Sequence, residues 1–201
     1  RDSAFSFYYQ DNLDLLAGFG AHLVEFSPIS DGQLPDVLDG LYFGGGYPEL
    51  NAAALAENET MRADVARFAR SGKPVYAECG GLMYLTEAIV DEETRAFPMV
   101  GVFPTSARMQ PQLAALGYVE VEGTDDRGWL RTGEQARGHE FRYSVIDEMP
   151  AHVMRRHRIS TMTGERKEGF ATGAVLASYV HLHFGSCPRF AARFVAACAG
   201  D

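Results

Sequence analysis

Short apolar runs and helical patterns alternate along the first half of the chain. Between the first two runs, Leu13 and Leu16 recur at helical spacing and predict a helix that ends near Gly18. Each run is bounded by polar or turn-forming residues, as buried strands are. The strands that these runs predict are Phe5–Tyr9, Ala21–Phe26 and Leu41–Phe43.

Alanine-rich helical patterns follow over residues 50–70, with a predicted break near Asn58. A short apolar run, Pro74–Ala77, predicts a further strand, and Leu82, Leu85 and Ile89 then predict a helix. The resulting β-α-β-β-α-β-α order is typical of α/β proteins. It predicts a doubly wound sheet of mainly parallel strands, whose carboxyl ends carry the functional site.

The second half has a different pattern. Alternating apolar and polar positions predict half-exposed antiparallel strands at the sheet edge. These strands are expected at Gly117–Glu122, Gly128–Arg131, His139–Tyr143 and Ala151–Met162. The α/β pattern returns with a strand over Ala174–Val180 and a closing helix over Pro188–Ala199. Neither a repeat nor a linker interrupts the chain, so we expect one domain over residues 1–201.

Composition narrows the function classes. The 201 residues carry a net charge of −9, with 46% hydrophobic and 22% charged residues. This charge, without a basic stripe, argues against a large nucleic-acid interface. Three cysteines are too few for a disulfide framework and fit no zinc spacing, so we expect a cytoplasmic setting and no metal. Because Arg1 leads directly into a strand pattern, we expect a piece of a longer chain.

Cys79 lies where the predicted strand Pro74–Ala77 gives way to a helix, and Gly80 and Gly81 follow it. A nucleophile at a sharp strand-to-helix turn is typical of a nucleophile elbow. The amides at the start of the helix favour a thiolate, the reactive form of cysteine. The alternative is that Cys79 is simply a small buried apolar residue, as free cysteines often are.

A cysteine nucleophile needs a base, and histidine is the usual one. Two of the six histidines, His181 and His183, are predicted at the end of a strand, on the sheet edge that carries Cys79. His22 is expected to be structural, and His152 and His157 are expected to be solvated.

Backbone amides that stabilise a developing oxyanion form the third part of such a site. Gly80 follows the nucleophile, and Gly45 or Gly46 lies at the end of a neighbouring strand. The glycine run also fits a tight turn or a phosphate cradle. However, no Gly-Lys-Ser/Thr completes a P-loop in the sequence.

The chain resembles a class I, triad-type glutamine amidotransferase domain of flavodoxin-like fold. More narrowly, it is similar to the C-terminal glutaminase domains of the cobyrinic acid and hydrogenobyrinic acid a,c-diamide synthases. The matching stretches are Ala4–Tyr9, Phe26–Pro28, Leu41–Leu50, Tyr76–Leu85, Gly138–Ser144 and Ala177–Phe184. The Gly-Gly-Gly-Tyr-Pro-Glu and Glu-Cys-Gly-Gly motifs are the most specific of these.

The resemblance implies that Cys79 attacks the side-chain amide of L-glutamine and that His181 is its base. Gly80 and Gly46 are the implied oxyanion donors. The ammonia would pass to an N-terminal synthetase domain, where ATP and Mg activate the a and c carboxylates of a corrinoid in cobalamin biosynthesis. This domain itself would need no cofactor, and alone it would hydrolyse glutamine weakly or not at all.

The sequence departs from the family pattern beside the base. Many class I members have His-x-Glu, in which the glutamate orients the histidine, whereas His183 occupies that position here. The cobalamin-pathway subgroup also lacks the glutamate. Glu78 and Glu140 are therefore the candidate orienting acids. Arg142 and His139 are candidates for bounding the glutamine pocket, or else part of an exposed strand edge.

Three other functions stay open. The chain could be another cysteine hydrolase of the same α/β class, which would leave the Gly-Gly-Gly-Tyr-Pro-Glu motif unexplained. It could be a docking module without catalysis, although both the cysteine and the histidine are present. Nickel-sirohydrochlorin a,c-diamide synthase is also closely similar. A domain that handles only glutamine does not distinguish among these tetrapyrroles.

Overall fold

Two β-sheets form the frame of the molecule, which a computed structural model describes over residues 1–200. The larger sheet has eight strands. In spatial order they are β1 (Leu41–Phe43), β2 (Val75–Glu78), β11 (Val175–Ser178), β10 (Gly164–Thr172), β9 (Met154–Thr161), β6 (Ala115–Gly123), β7 (Gln135–Arg142) and β12 (His181–His183). The smaller sheet has the order β4 (Ala96–Pro98), β3 (Thr86–Val90), β5 (Phe103–Met109) and β8 (Ser144–Ile146).

Within residues 1–200, five α-helices pack against this frame. They are α1 (Gln10–Gly18), α2 (Ala52–Glu57), α3 (Glu59–Arg70), α4 (Gly80–Leu85) and α5 (Pro188–Ala199). The predicted break near Asn58 is confirmed, because the Asn58 side chain caps α3 by accepting a hydrogen bond from the Met61 amide at 3.3 Å. The predicted closing helix is confirmed as α5, and Gly200 ends it in the left-handed region.

The prediction of a mainly parallel sheet is wrong. In the larger sheet only the pairs β1–β2 and β2–β11 are parallel, and all other pairings are antiparallel. The smaller sheet adds one parallel pair, β3 with β5. The fold is therefore α/β with mixed sheets. The antiparallel extension contributes most of the larger sheet rather than its edge.

Two predicted strands do not form. Phe5–Tyr9 contributes only an isolated bridge between Phe7 and Gly45, because the Asp2 carboxylate takes the amides of Ala4 and Phe5 into a turn at 2.9 and 3.1 Å. Ala21–Phe26 has no hydrogen-bonded neighbouring strand. An apolar run becomes a strand only where a ladder partner takes up its backbone groups. These two absences remove part of the expected parallel sheet.

Two boundaries also differ from the prediction. The helix after Cys79 ends at Leu85, and Ile89 lies in β3, because the Thr86 hydroxyl donates to the Met83 carbonyl at 2.7 Å and Thr86 turns extended. Gly128–Arg131 forms a turn instead of a strand, with the Gly128 amide bonded to a carbonyl of the preceding loop. Its alternation reflects one buried leucine at the turn.

The core lies on both faces of the central strand. All four residues of β2 are buried. Val75 and Ala77 face a cluster that includes α3 and α4, while Tyr76 faces a second cluster with α5. Burial on both faces explains why this strand is a continuous apolar run. No helix within residues 1–200 combines the length and the apolar character needed to cross a membrane.

Candidate active site

Cys79 lies at the sharp turn between β2 and α4. Its backbone has φ 49° and ψ −103°, a strained conformation for a residue with a side chain. The Cys79 amide donates to the Ser178 carbonyl at 2.8 Å, and Ser178 is the last residue of the neighbouring parallel strand. The predicted elbow is therefore present, and the ends of β2 and β11 hold it in place.

The glycines after Cys79 are required by close approach. A Cβ on Gly81 would lie 2.6 Å from the Phe43 carbonyl oxygen, and one on Gly80 would lie 2.9 Å from Cδ of Pro48. The Gly81 amide is already bonded to the Gly44 carbonyl at 3.0 Å. The elbow therefore packs directly against the glycine loop that follows β1.

Two of the three predicted oxyanion donors lie side by side. The Gly46 nitrogen is 3.2 Å from the position that a Cβ on Gly80 would take, and within residues 1–200 the Gly46 amide has no hydrogen-bond acceptor. Gly45 is not a donor, contrary to one of the expectations. Its amide is bonded to the Phe7 carbonyl at 3.0 Å, as part of the bridge between these residues.

His181 begins β12, and its ring is buried, with 4% of the residue exposed. It stacks on His139 with a centroid distance of 4.7 Å and an interplanar angle of 13°, and the edge of Phe7 packs at 4.7 Å. A Cβ on Gly45 would lie 2.1 Å from Cε1 of His181. The ring is therefore confined by packing on several sides.

A hydrogen bond with Tyr9 orients His139, the ring on which His181 stacks. The Tyr9 hydroxyl lies 2.6 Å from Nδ1 of His139. In contrast, Nδ1 of His181 is buried and has no hydrogen-bond partner among residues 1–200. Since a lone imidazole can rotate, the stack on His139 and the contact with Gly45 are what define the orientation of the His181 ring.

Burial sets the charge state of the pair. It raises the pKa of Cys79 to about 12, although a hydrogen bond from the Gly80 amide acts in the opposite direction. Burial, together with a smaller contribution from His139, lowers the pKa of His181 to about 3. Desolvation thus acts against the amides of the six-residue helix, and it favours a thiol and a neutral imidazole.

The two candidate orienting acids occupy different places. Glu78 is fully buried, and it accepts hydrogen bonds from the Tyr42 and Tyr76 hydroxyls at 2.8 Å and from the Leu182 amide at 2.9 Å. It thereby holds the backbone next to His181 rather than its ring. Burial raises the pKa of Glu78 to about 7.

Glu140 pairs with two arginines, at 3.5 Å to Nε of Arg142 and at 2.6 Å to Nη2 of Arg166. Arg142 in turn lies 4.4 Å over the Tyr179 ring. In this structure Glu140 therefore acts on Arg142, which was expected to bound the pocket.

Cys79 and His181 open into a cavity of about 320 Å³. The charged side chains that line it are Glu49 and Arg142, which lie among apolar and aromatic groups. The remaining lining residues are Ser6, Phe7, Gly46, Tyr47, Met83, Met109, His139, Phe141, Tyr143 and Ser144. A larger cavity of about 450 Å³ lies beyond β1 and contains neither Cys79 nor His181.

Sequence reasoning missed Glu49, Phe7 and Tyr9 as residues of the site. Glu49 carried a usable signal, because it ends the Gly-Gly-Gly-Tyr-Pro-Glu run. Phe7 and Tyr9 lie in the matching stretch Ala4–Tyr9, but their role depends on contacts with residues more than a hundred positions away, which the stretch itself does not indicate.

The other histidines lie elsewhere. His183 is 3.3 Å from Asp11 and does not line the cavity. His22 and His152 are exposed. His157 was expected to be solvated, but it is buried in β9, with 2% of the residue exposed, because it faces inward over Gly169.

Comparison with known proteins gives one family. Residues 1–188 match the CobB/CobQ-like glutamine amidotransferase domain. The chain is 43% identical over 206 residues to a cobyrinate a,c-diamide synthase of Dehalococcoides mccartyi, covering 100% of this chain and 44% of that protein. It is 41% identical over 199 residues to the synthase of Synechocystis, covering 98% and 41%. The chain thus spans less than half the length of these relatives.

Solved structures give the same fold. One described as a glutamine amidotransferase matches with a TM-score of 0.63 at 16% identity, covering 94% of this chain and 93% of its own. PurLQS from Thermotoga maritima matches with a TM-score of 0.66 at 15% identity, covering 95% and 91%. At these identities the likeness concerns the fold alone.

Proposed function

Because this chain belongs to the CobB/CobQ-like glutamine amidotransferase domain family, we propose that it hydrolyses L-glutamine and supplies the ammonia for a,c-diamidation of a corrinoid in cobalamin biosynthesis. The observation that carries the proposal is the elbow cysteine. Cys79 shares its cavity with a buried histidine, and the Gly46 amide beside it has no acceptor within residues 1–200.

The reaction begins from the neutral pair. The Cys79 thiol gives its proton to His181 as its sulfur attacks the side-chain carbonyl of glutamine. A C–S bond forms, the C–N bond breaks, and His181 returns the proton to the leaving ammonia. Water then attacks the thioester with His181 as base, which releases glutamate and the thiol.

Negative charge develops on the carbonyl oxygen during both attacks. The Gly46 and Gly80 amides lie beside Cys79 and are the donors for this oxygen. Preorganised donors of this kind are worth several kcal/mol in the transition state.

The charges in the cavity fit a free amino acid. Glu49 and Arg142 have opposite charges, as the ammonium and carboxylate of glutamine do. Burial raises the pKa of the Glu49 carboxyl, and a bound ammonium would lower it again. We therefore place the ammonium at Glu49 and the carboxylate at Arg142.

In this proposal the chain is one domain of a larger enzyme. The relatives named above are more than twice as long as the stretch that matches. A synthetase domain would bind ATP, Mg and the corrinoid, and would receive the ammonia. Cys79, Cys187 and Cys198 are all free thiols, which fits a reducing cytoplasmic setting.

The first test measures glutamate release from glutamine by the wild-type chain and by Cys79→Ala, each alone and with the synthetase domain added. We expect weak release by the chain alone, a clear increase with the synthetase domain, and none from the variant. A silent wild type in the presence of the synthetase domain would refute the glutaminase and favour a docking module. Release without incorporation of ammonia into cobyrinate would refute the acceptor only.

A second measurement separates a glutaminase from a general cysteine hydrolase. A chloroketone analogue of glutamine should alkylate Cys79, with the sulfur displacing chloride, and excess glutamine should protect. Alkylation that glutamine does not slow would indicate that the cavity lacks glutamine specificity.

A further inference from the structure

Four charged side chains form a chain of alternating sign that begins at Arg142 in the cavity wall and continues through three residues to which no role has yet been assigned. Arg142 contacts Glu140 at 3.5 Å, Glu140 contacts Arg166 at 2.6 Å, and Arg166 contacts Glu168 at 2.9 Å. The side chains of Glu140 and Glu168 are only 4% and 5% exposed. A buried carboxylate is costly unless it is paired, so each acid depends on its arginine.

Glu168 uses its other oxygen at the site itself. Oε1 accepts the Ser178 hydroxyl and the Tyr179 amide, both at 2.7 Å. Ser178 is the residue whose carbonyl accepts the Cys79 amide at 2.8 Å. The Ser178 hydroxyl also accepts the Val180 amide at 3.1 Å, one residue before His181. One carboxylate oxygen thus holds the turn that lies between nucleophile and base.

Contacts through Tyr179 connect the two ends of this chain of charges. Arg142 stacks over the Tyr179 ring at 4.4 Å and donates to the Ser144 carbonyl at 2.5 Å. The Tyr179 hydroxyl lies 2.9 Å from the Ser144 hydroxyl. Since Glu168 holds the Tyr179 amide, these contacts connect the turn beside His181 to Arg142 in the cavity wall.

We propose that Glu168, Arg166 and Glu140 are positioning residues of the glutaminase site. Glu168 fixes the Ser178–His181 turn relative to Cys79, and Glu140 fixes Arg142 against the substrate carboxylate. Arg166 joins the two acids, so that pocket and nucleophile keep one geometry. This inference rests on the proposed function, because it assigns roles within the same site.

The physical reason is the small tolerance of the reaction. A displacement of reacting groups by about 1 Å can cost on the order of 100-fold in rate. Hydrogen bonds to a charged acceptor are about twice as strong as neutral ones, so a carboxylate restrains the turn better than an amide would. If the network were merely structural, its loss would lower stability, and the substitutions at Glu168 and Glu140 would not affect kcat and KM differently.

The test uses the chain together with its synthetase domain. Glutamine hydrolysis gives kcat and KM, and the chloroketone gives the rate and affinity of Cys79 alkylation. We expect Glu168→Gln to lower kcat at least tenfold with KM within threefold. We expect Glu140→Gln to raise KM at least fivefold with a smaller change in kcat. The matched control is Glu165→Gln, an exposed glutamate on the same strand, which should behave as wild type.

The outcomes distinguish a failure of the glutaminase function from a failure of the positioning role. Wild type without glutaminase activity or alkylation would refute the proposed function itself. An active wild type, with both folded variants within twofold of it in kcat and KM, would overturn the positioning role alone. If Glu168→Gln does not fold, Ser178→Ala decides, since it removes the hydroxyl that joins Glu168 to the Val180 amide and leaves the Glu168 side chain in place. It should slow alkylation at least threefold, and an unchanged rate would overturn the proposal.

Discussion

Gly45 gives the sharpest test of how the base is held. The His181 ring packs directly against the backbone of Gly45, in the space that a side chain at this position would occupy. A Cβ added there would lie 2.1 Å from Cε1, 3.0 Å from Nδ1 and 3.2 Å from Nε2 of His181. The Gly45→Ala substitution therefore acts on both ring nitrogens.

The size of the effect follows from the contact distance. To move from 2.1 Å to the 3.4 Å of an ordinary contact, the ring must retreat by about 1.3 Å. His139 and Phe7 pack against it at centroid distances of 4.7 Å, so this retreat requires those rings to move as well. A misplacement of this size costs on the order of 100-fold in rate, which is about 2.7 kcal/mol.

The assay is glutamine hydrolysis in the presence of the synthetase domain, with chloroketone alkylation as a second readout. We expect Gly45→Ala to lose about 100-fold in kcat while it folds normally, because the bridge to Phe7 uses only backbone groups. Gly18→Ala is the control, since a Cβ there meets nothing within 4 Å. A folded Gly45→Ala with kcat within threefold of wild type would refute confinement of His181 by the loop.

Three further predictions concern buried or half-buried polar groups. Asn12→Ala should lower the free energy of unfolding by about 2 kcal/mol in urea titrations, because its amide bonds the Leu182 carbonyl and the Phe184 amide, both at 2.7 Å; a loss below about 0.5 kcal/mol would contradict this. Glu78→Gln should alter how stability changes with pH. The pKa of Glu78 is raised to about 7 in the fold, so its contribution is full below about pH 4.5 and is lost as pH rises towards 7; identical pH profiles for variant and wild type would count against the shift. Glu49→Gln should raise KM for glutamine about tenfold with kcat nearly unchanged, as expected for a contact with the substrate ammonium, and an unchanged KM would remove Glu49 from the binding site.

The sequence determined the chemistry-bearing elements closely. A strand that breaks at Cys79 before two glycines predicted the elbow, since few residue types allow so sharp a turn. The strand that leads to His181 was also foreseeable, and so was its place on the same sheet edge as Cys79. These features depend on local patterns and on the rule that parallel strands end together.

The tertiary structure decided which contacts these elements make. Phe5–Tyr9 has the pattern of a strand, but the Asp2 carboxylate accepts its first amide, that of Phe5, and the stretch forms only the isolated bridge to Gly45. The sequence predicted Gly45 as a possible oxyanion donor, yet its amide donates to the Phe7 carbonyl. In each case a nearby polar group competes for the same backbone hydrogen, and the sequence pattern does not record that competition.

The charge state and orientation of the site likewise came only with the fold. Burial raises the pKa of the Cys79 thiol, against the effect expected of the helix amides. His139 stacks on His181 where an orienting carboxylate was sought, and Glu140 reaches Arg142 instead. Desolvation and packing depend on residues distant in the chain, so the sequence determined which groups react, and only the tertiary structure determined how they are held.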